Sequence, residues 1–348
     1  FSPRDGIGFS VTRITIGASD FSQKHYTYAD TPGNPVADIA PAREHLIPTL
    51  KTMRKINPGL QVIATPWSAP AWMKTSNSLI KGRLKPEHYG SFARYLVSYT
   101  QAMRKAGAPV DILTIQNEPH FEPDNYPGMR VEPAERAAFI ANHLGPLMRR
   151  SLPGTKLLDW DHNWDQPESP TTVLSDAKAA AFIDGVAWHC YAGDVAAQSV
   201  VRDRFPSKQV WFTECASGNW SGDWSKSFNW TIRNLIIGST RNWAKGVVMW
   251  NLALDEKHGP HLGGCGNCRG LVTINSQSGE VTREPEYYAF AHASKFVRAG
   301  SVRVASMSTD KAIESVAFQK GRNGPVTLIA VNGGEAERKL SFAIGRKT

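Results

Sequence analysis

Two glutamates carry the first chemical signal in this chain. Glu118 follows the apolar run Val110–Ile115 in the segment Gln-Asn-Glu-Pro, and Glu214 follows Gln209–Thr213 in Phe-Thr-Glu-Cys. A carboxylate at the end of a buried strand is costly to desolvate unless a partner or a reaction retains it. Two carboxyl groups facing each other across a cleft suit cleavage of a glycosidic bond, one protonating the leaving oxygen while the other attacks the anomeric carbon. A mechanism that retains configuration asks for a separation of about 5–5.5 Å. The structural alternative is that each glutamate forms a buried ion pair with an arginine such as Arg13, which also perturbs its pKa.

The ends of the other apolar runs are polar or aromatic as well. They carry Asp20 in Gly-Ala-Ser-Asp, Trp67 in Thr-Pro-Trp-Ser, Asn117, the triplet Asp161, His162 and Asn163, then His189, Tyr191, Trp250 and Asn251. The chain has 11 tryptophans. A flat apolar indole face matches the C–H face of a pyranose, and core filling accounts for most of the others.

The elements that must position these residues alternate regularly. Strands are expected at Phe9–Ile16, Leu60–Thr65, Val110–Ile115, Lys156–Trp160, Gly185–His189, Gln209–Thr213 and Gly246–Trp250, each short and apolar on both faces, as in a parallel sheet buried on both sides. Between them lie helical patterns. The clearest spans Pro86–Ala106, with Tyr89, Phe92, Leu96, Tyr99 and Met103 on one face, Pro86 in the first turn and Gly107 at the stop. Others begin near Pro133 and cover Phe228–Ala244 and Tyr287–Val297. This alternation predicts right-handed crossovers in an α/β fold, and a closed (β/α)8-type TIM barrel is preferred because no Gly-x-Gly-x-x-Gly follows the first strand. Only seven barrel strands are found, so the first strand–helix unit is read as missing. The flanking strands Phe9–Ile16 and Gly246–Trp250 would then be exposed edges, closed by local segments or a second copy of the chain.

After Ala299 the pattern becomes that of consecutive strands at Ser301–Ser308, Ala312–Gln319, Pro325–Asn332 and Arg338–Ile344, with a basic end at Arg346-Lys347-Thr348. The expected division is a catalytic barrel over 1–298 and an incomplete, β-sandwich-like antiparallel side domain over 299–348.

Composition excludes several function classes. The net charge is +9, yet Lys and Arg are scattered, without the basic patch of a nucleic-acid binder. No apolar run approaches the ~20 residues of a membrane span, and from Phe1 onward no signal-peptide pattern is visible. Cys265 and Cys268 lie in a glycine-rich loop with no further ligands at zinc-site spacing and no helix to open. They are read as a local disulfide, which favours an extracytoplasmic home. Cys190 and Cys215, in apolar strand runs, are read as buried thiols.

Six ordered segments, 26–32, 65–75, Gln-Asn-Glu-Pro at 116–119, Trp-His-Cys-Tyr at 188–191, Thr-Glu-Cys at 213–215 and Trp-Asn-Leu-Ala-Leu at 250–254, resemble glycoside hydrolase family 30 from about Gly8 to Phe296. The resemblance implies that Glu118 is the acid/base and Glu214 the nucleophile. It implies that Asn117 binds the sugar 2-hydroxyl, that Tyr191 and Arg13 hold the nucleophile ionised, and that Asp20, Trp67 and Trp250 bind the glycone. His189 is a supporting residue or a structural histidine. No metal or cofactor is implied. The function expected is a retaining β-glucosidase of glucosylceramidase type, acting on a β-linked glucoside, glucan or glycolipid, with membrane-surface contact if the substrate is a glycolipid. The alternatives are an endo-β-1,6-glucanase of the same family and a carbohydrate-binding relative without turnover, against which the retention of both glutamates argues.

Overall fold

The computed structural model describes residues 1–345, and the basic end expected at 346–348 lies outside the described residues. Seven parallel strands form one sheet in sequence order: β1 (Val11–Ile16), β2 (Gln61–Pro66), β3 (Ile112–Thr114), β4 (Lys156–Asn163), β5 (Gly185–His189), β6 (Gln209–Glu214) and β7 (Ala244–Val247). The inner strands are buried on both sides because one face looks into the barrel and the other onto a layer of helices, whereas β1 and β7 at the two edges are only part-buried. The helices are amphipathic. Helix α1 (Leu46–Ile56) and helix α2 (Tyr89–Lys105) bury one stripe each, and α2 is entered through a short turn at Pro86–His88.

Inside the barrel, alternate residues point inward and build layers. Ile63, Ile112, Leu158, Ala187, Trp211 and Val248 form an apolar plug, with Val11 against it. Two residues further along the strands the inward positions turn polar, at Thr65, Thr114, His189 and Thr213. The polar layer therefore sits at the C-terminal ends, the side on which barrels of this kind place their sites.

Among the described residues no backbone ladder joins β1 to β7. Side chains fill the seam instead. A Cβ at Gly246 would lie 3.8 Å from Val11, and at the top the Trp67 and Trp250 rings stack with centroids 4.9 Å apart. The Arg13 guanidinium lies 4.9 Å from one of these rings and 5.7 Å from the other.

Beyond the barrel, β8 (Val302–Val304), β9 (Ile313–Gln319) and β10 (Val326–Asn332) form an antiparallel sheet. It docks on the helical segment 224–241 through Arg233 to Glu314 and Asn229 to the Asn332 carbonyl. The fourth strand expected at Arg338–Ile344 does not form. Its alternating Leu340, Phe342 and Ile344 have no sheet to pair with and stand exposed to solvent. Strand β7 begins two residues earlier than expected, and β4 runs three residues longer. No helix among the described residues is long and apolar enough to cross a membrane.

Candidate active site

The strand ends converge on a cavity of about 520 Å³ lined by Asp20, Trp67, Asn117, Glu118, Tyr191, Glu214, Trp250, Cys265 and Cys268, among others. Arg13 and His189 lie buried beneath it. These residues, all singled out from the sequence, are therefore brought to one place.

Glu214 ends β6, where its two oxygens take different donors. Arg13 Nη1 donates to Oε2 at 2.6 Å and the Tyr191 hydroxyl to Oε1 at 2.9 Å. Burial, and then the charge of Glu214, push the Tyr191 phenol well above its ordinary value, so it stays protonated and donates. Arg13 Nη2 also donates to Asn117 Oδ1 at 2.7 Å, leaving the amide NH2 of Asn117 free to donate into the cavity.

Glu118 is held differently. Its backbone is left-handed, with φ 46°, and its N–H donates to the Asp161 carbonyl at 3.0 Å. Strain of this kind persists only where the surroundings enforce it. Burial raises the Glu118 pKa, and the nearby Glu214 adds to this. A hydrogen bond and the charge of His189 oppose both without cancelling them. One carboxyl is thus biased towards its protonated form while the other is held by a guanidinium and a phenol.

The group that organises the two is Asp161, which in the sequence is only one polar residue at a strand end. In the structure it is completely buried and takes donors from Arg13 at 2.9 Å, Thr65 at 3.0 Å, Thr114 at 2.7 Å, Thr213 at 2.6 Å and His189 at 3.0 Å. Burial alone would raise its pKa, but Arg13, His189 and Thr213 outweigh it and hold the carboxyl well below the usual range. Strict alternation from Leu158 would turn Asp161 outward. A register shift between Trp160 and His162, with positive φ at Trp160 (77°) and Asp161 (54°), turns it in. Such a bulge leaves no mark in the hydrophobic pattern.

His189 has a carboxylate at each ring nitrogen, with Glu118 at 3.1 Å from Nδ1 and Asp161 at 3.0 Å from Nε2. Burial would lower its pKa, but Glu214, Asp161 and Glu118 together raise it to about 9, so the ring is an imidazolium at neutral pH. His162, at 3.6 Å from Glu118, is the reverse. Burial, then the neighbouring His189 and His120, lower it to about 2. Glu118, His162 and His189 offer three ligand atoms within 4.8 Å of one another. A metal there would have to displace the His189 proton from between two carboxylates, so the cluster is suited to proton handling.

On the opposite wall, burial and then the charge of Glu214 raise the Asp20 carboxyl to about 7. The loop after β7 wraps it. A Cβ on Gly264 would come within 2.4 Å of the Asp20 side chain, so only glycine fits there. The Cys265–Cys268 disulfide closes this loop at the cavity rim.

The two thiols expected at Cys190 and Cys215 are a second disulfide. His189 and Glu214 are register partners on β5 and β6, so the residues that follow them are adjacent across the sheet. That register was the missing signal. The bridge ties together the two strands that end in His189 and Glu214. Phe121 and Trp220, exposed aromatics in the cavity wall, were also overlooked, since neither lies at a strand end.

Comparison with known proteins agrees with this picture. An endo-1,6-β-D-glucanase of Aspergillus fumigatus is 38% identical over 322 residues, covering 85% of this chain and 64% of that one. The lysosomal acid glucosylceramidase of Mus musculus is 28% identical over 377 residues, covering 97% and 70%. The solved structure of an endo-β-1,6-glucanase superposes with a TM-score of 0.91 at 35% identity, covering 95% of this chain and 77% of that one. The chain spans 63–71% of the length of three curated endo-1,6-β-D-glucanases. Residues 1–297 match the family model described as the glycosyl hydrolase family 30 TIM-barrel domain, and the chain belongs to that family.

Proposed function

We propose that this glycoside hydrolase is an endo-β-1,6-glucanase that retains anomeric configuration, with Glu118 as acid/base and Glu214 as nucleophile. The observation that carries the reading is the unequal treatment of the two carboxyls: Glu118 has a raised pKa, and Glu214 is gripped by Arg13 and Tyr191. In the first step Glu214 attacks the anomeric carbon while Glu118 gives its proton to the departing glycosidic oxygen. In the second, Glu118 takes a proton from water, which displaces Glu214 and restores it. Arg13 and Tyr191 hold and orient the nucleophile through one hydrogen bond to each oxygen, and Asn117 is placed to donate to the sugar 2-hydroxyl. Asp20, Trp67 and Trp250 form the wall against which the glycone packs.

The β-1,6 linkage is supported by relatives named for it at 33–38% identity. Relatives named glucosylceramidases match at 28–29%. The glucosylceramidase expectation, and the membrane contact that goes with a glycolipid, therefore rank second. On this reading residues 1–298 are the catalytic barrel and 299–348 a side domain. The two disulfides favour an oxidising, extracytoplasmic setting.

Linear β-1,6-glucan is the test substrate. A falling viscosity with a ladder of oligosaccharides, first released as the β-anomer, is expected, together with labelling of Glu214 by a 2-fluoro-glucoside. Release of glucose alone would make the enzyme exo-acting, and first release of the α-anomer would remove the retaining mechanism.

A further inference from the structure

Phe121 and Trp220 line the cavity but take no part in the reaction just described. They are 46% and 54% exposed, whereas Trp67 is only 2% exposed. Large rings left in water at the rim of a cavity offer a flat apolar face to an incoming sugar ring.

Their place around the barrel says which part of a substrate they meet. Asp20, Trp67 and Trp250 come from the ends of β1 and β2 and the segment after β7, which flank the seam across which Trp67 and Trp250 stack. The loops after β3 and β6 carry Phe121 and Trp220 and help close the rest of the ring. Phe121 is also tied to the acid. Its N–H donates to the Glu118 carbonyl at 2.9 Å, a tight turn that keeps Phe121 three residues from the group expected to protonate the leaving oxygen, on the wall of the same cavity.

Trp220 is held as a fixed surface. Its ring lies over Gly218, where a Cβ would come within 2.1 Å of it. The backbone below is pinned to the next loop, with Gly218 and Ser217 paired to Cys268 and Arg269, and the Asn219 N–H donating to the Asn267 carbonyl at 3.1 Å. Cys268 is in turn bridged to Cys265. An aromatic ring ordered before binding loses little entropy when a sugar ring stacks on it.

We propose that Phe121 and Trp220 form the platform for the glucosyl units on the leaving-group side of the cleaved bond, selecting a glycan over a small or lipid aglycone. This rests on the endo-β-1,6-glucanase reading and names its leaving-side site.

The test compares wild type, Phe121→Ala, Trp220→Ala, Trp220→Phe and Gly218→Ala on three substrates. These are β-glucosyl fluoride, whose leaving group fills no sugar site, β-1,6-linked gluco-oligosaccharides of two to six units, and glucosylceramide in detergent micelles. The ratio of kcat/KM on the longer oligosaccharides to kcat/KM on the fluoride should fall about 10- to 100-fold in the alanine variants, mainly through KM. Trp220→Phe should recover most of the ratio, and Gly218→Ala should mimic Trp220→Ala. An unchanged ratio in a wild-type enzyme that favours the oligosaccharides would overturn the platform alone. A wild type that favours glucosylceramide would overturn both the platform and the β-1,6-glucanase reading.

Discussion

Strand β4 holds two buried aspartates two residues apart, Asp159 and Asp161, each bonded to an arginine at 2.9 Å. Asp159 faces the helical layer. Its partner Arg136 comes from the helix Pro133–Phe139 and also donates to Ser169 and to the Val131 carbonyl. Asp161 faces the barrel interior, where Arg13 bonds it and Glu214 together. The two pairs match in residue type, distance and burial, yet one holds a helix to a strand and the other holds the carboxylate proposed as nucleophile. The salt bridge alone does not distinguish scaffold from site. What distinguishes them is where the arginine's remaining N–H groups go.

Neutralising each aspartate separates the two roles most sharply. Asp161→Asn removes the charge that opposes Arg13 and His189, so turnover by folded protein should drop about 100-fold or more, some 3 kcal/mol of transition-state stabilisation. Asp159→Asn should leave turnover within about threefold while costing about 3–5 kcal/mol in urea unfolding, because Arg136 is left buried without its counter-charge. Equal losses of turnover in the two variants would mean that the inward network has no special link to Glu214.

A second comparison replaces whole pairs. Buried ion pairs often give way to apolar residues of similar size with little loss. Arg136→Met with Asp159→Leu should stay within about 2 kcal/mol of the wild type and keep its activity, since besides Asp159 only Ser169, the Val131 carbonyl and His120 Nε2 lose a donor. Arg13→Met with Asp161→Leu should be inactive whatever its stability, because Glu214 and Asn117 both lose Arg13. Activity in that double variant would show that Tyr191 alone can hold the nucleophile.

The same contrast explains how far the sequence could be read. Glu118 and Glu214 are legible because each interrupts a hydrophobic run at a strand end, where polarity is expensive. The inner strands are legible for the same reason, being buried on both faces. Asp161 is also a polar residue at a strand end, but its inward turn depends on a bulge that periodicity does not encode. The Cys190–Cys215 bridge depends on the register of β5 against β6, which no local pattern carries. Leu340, Phe342 and Ile344 erred the other way. Alternation alone makes no strand when no neighbouring strand pairs with it.

The finest distinction between the two pairs lies in the pH profile. In the proposed mechanism Glu118 must carry a proton to act as the acid, so kcat/KM should fall as pH rises through its pKa. Burial and Glu214 raise that pKa, while the hydrogen bond and positive charge of His189 pull it down. His189 is charged because it faces Asp161 and Glu214, so the inward network sets the alkaline limb through this one ring. Replacing His189 with Gln removes the positive charge and leaves burial and Glu214 less opposed. The limb should then move to higher pH, with a smaller loss of plateau kcat than Asp161→Asn suffers. The Arg136→Met, Asp159→Leu protein should keep the wild-type limb, since His189 is untouched. A limb that stays in place in His189→Gln would mean that another group titrates there. A limb that moves in the Arg136 and Asp159 double variant would mean that the outer pair reaches the acid after all.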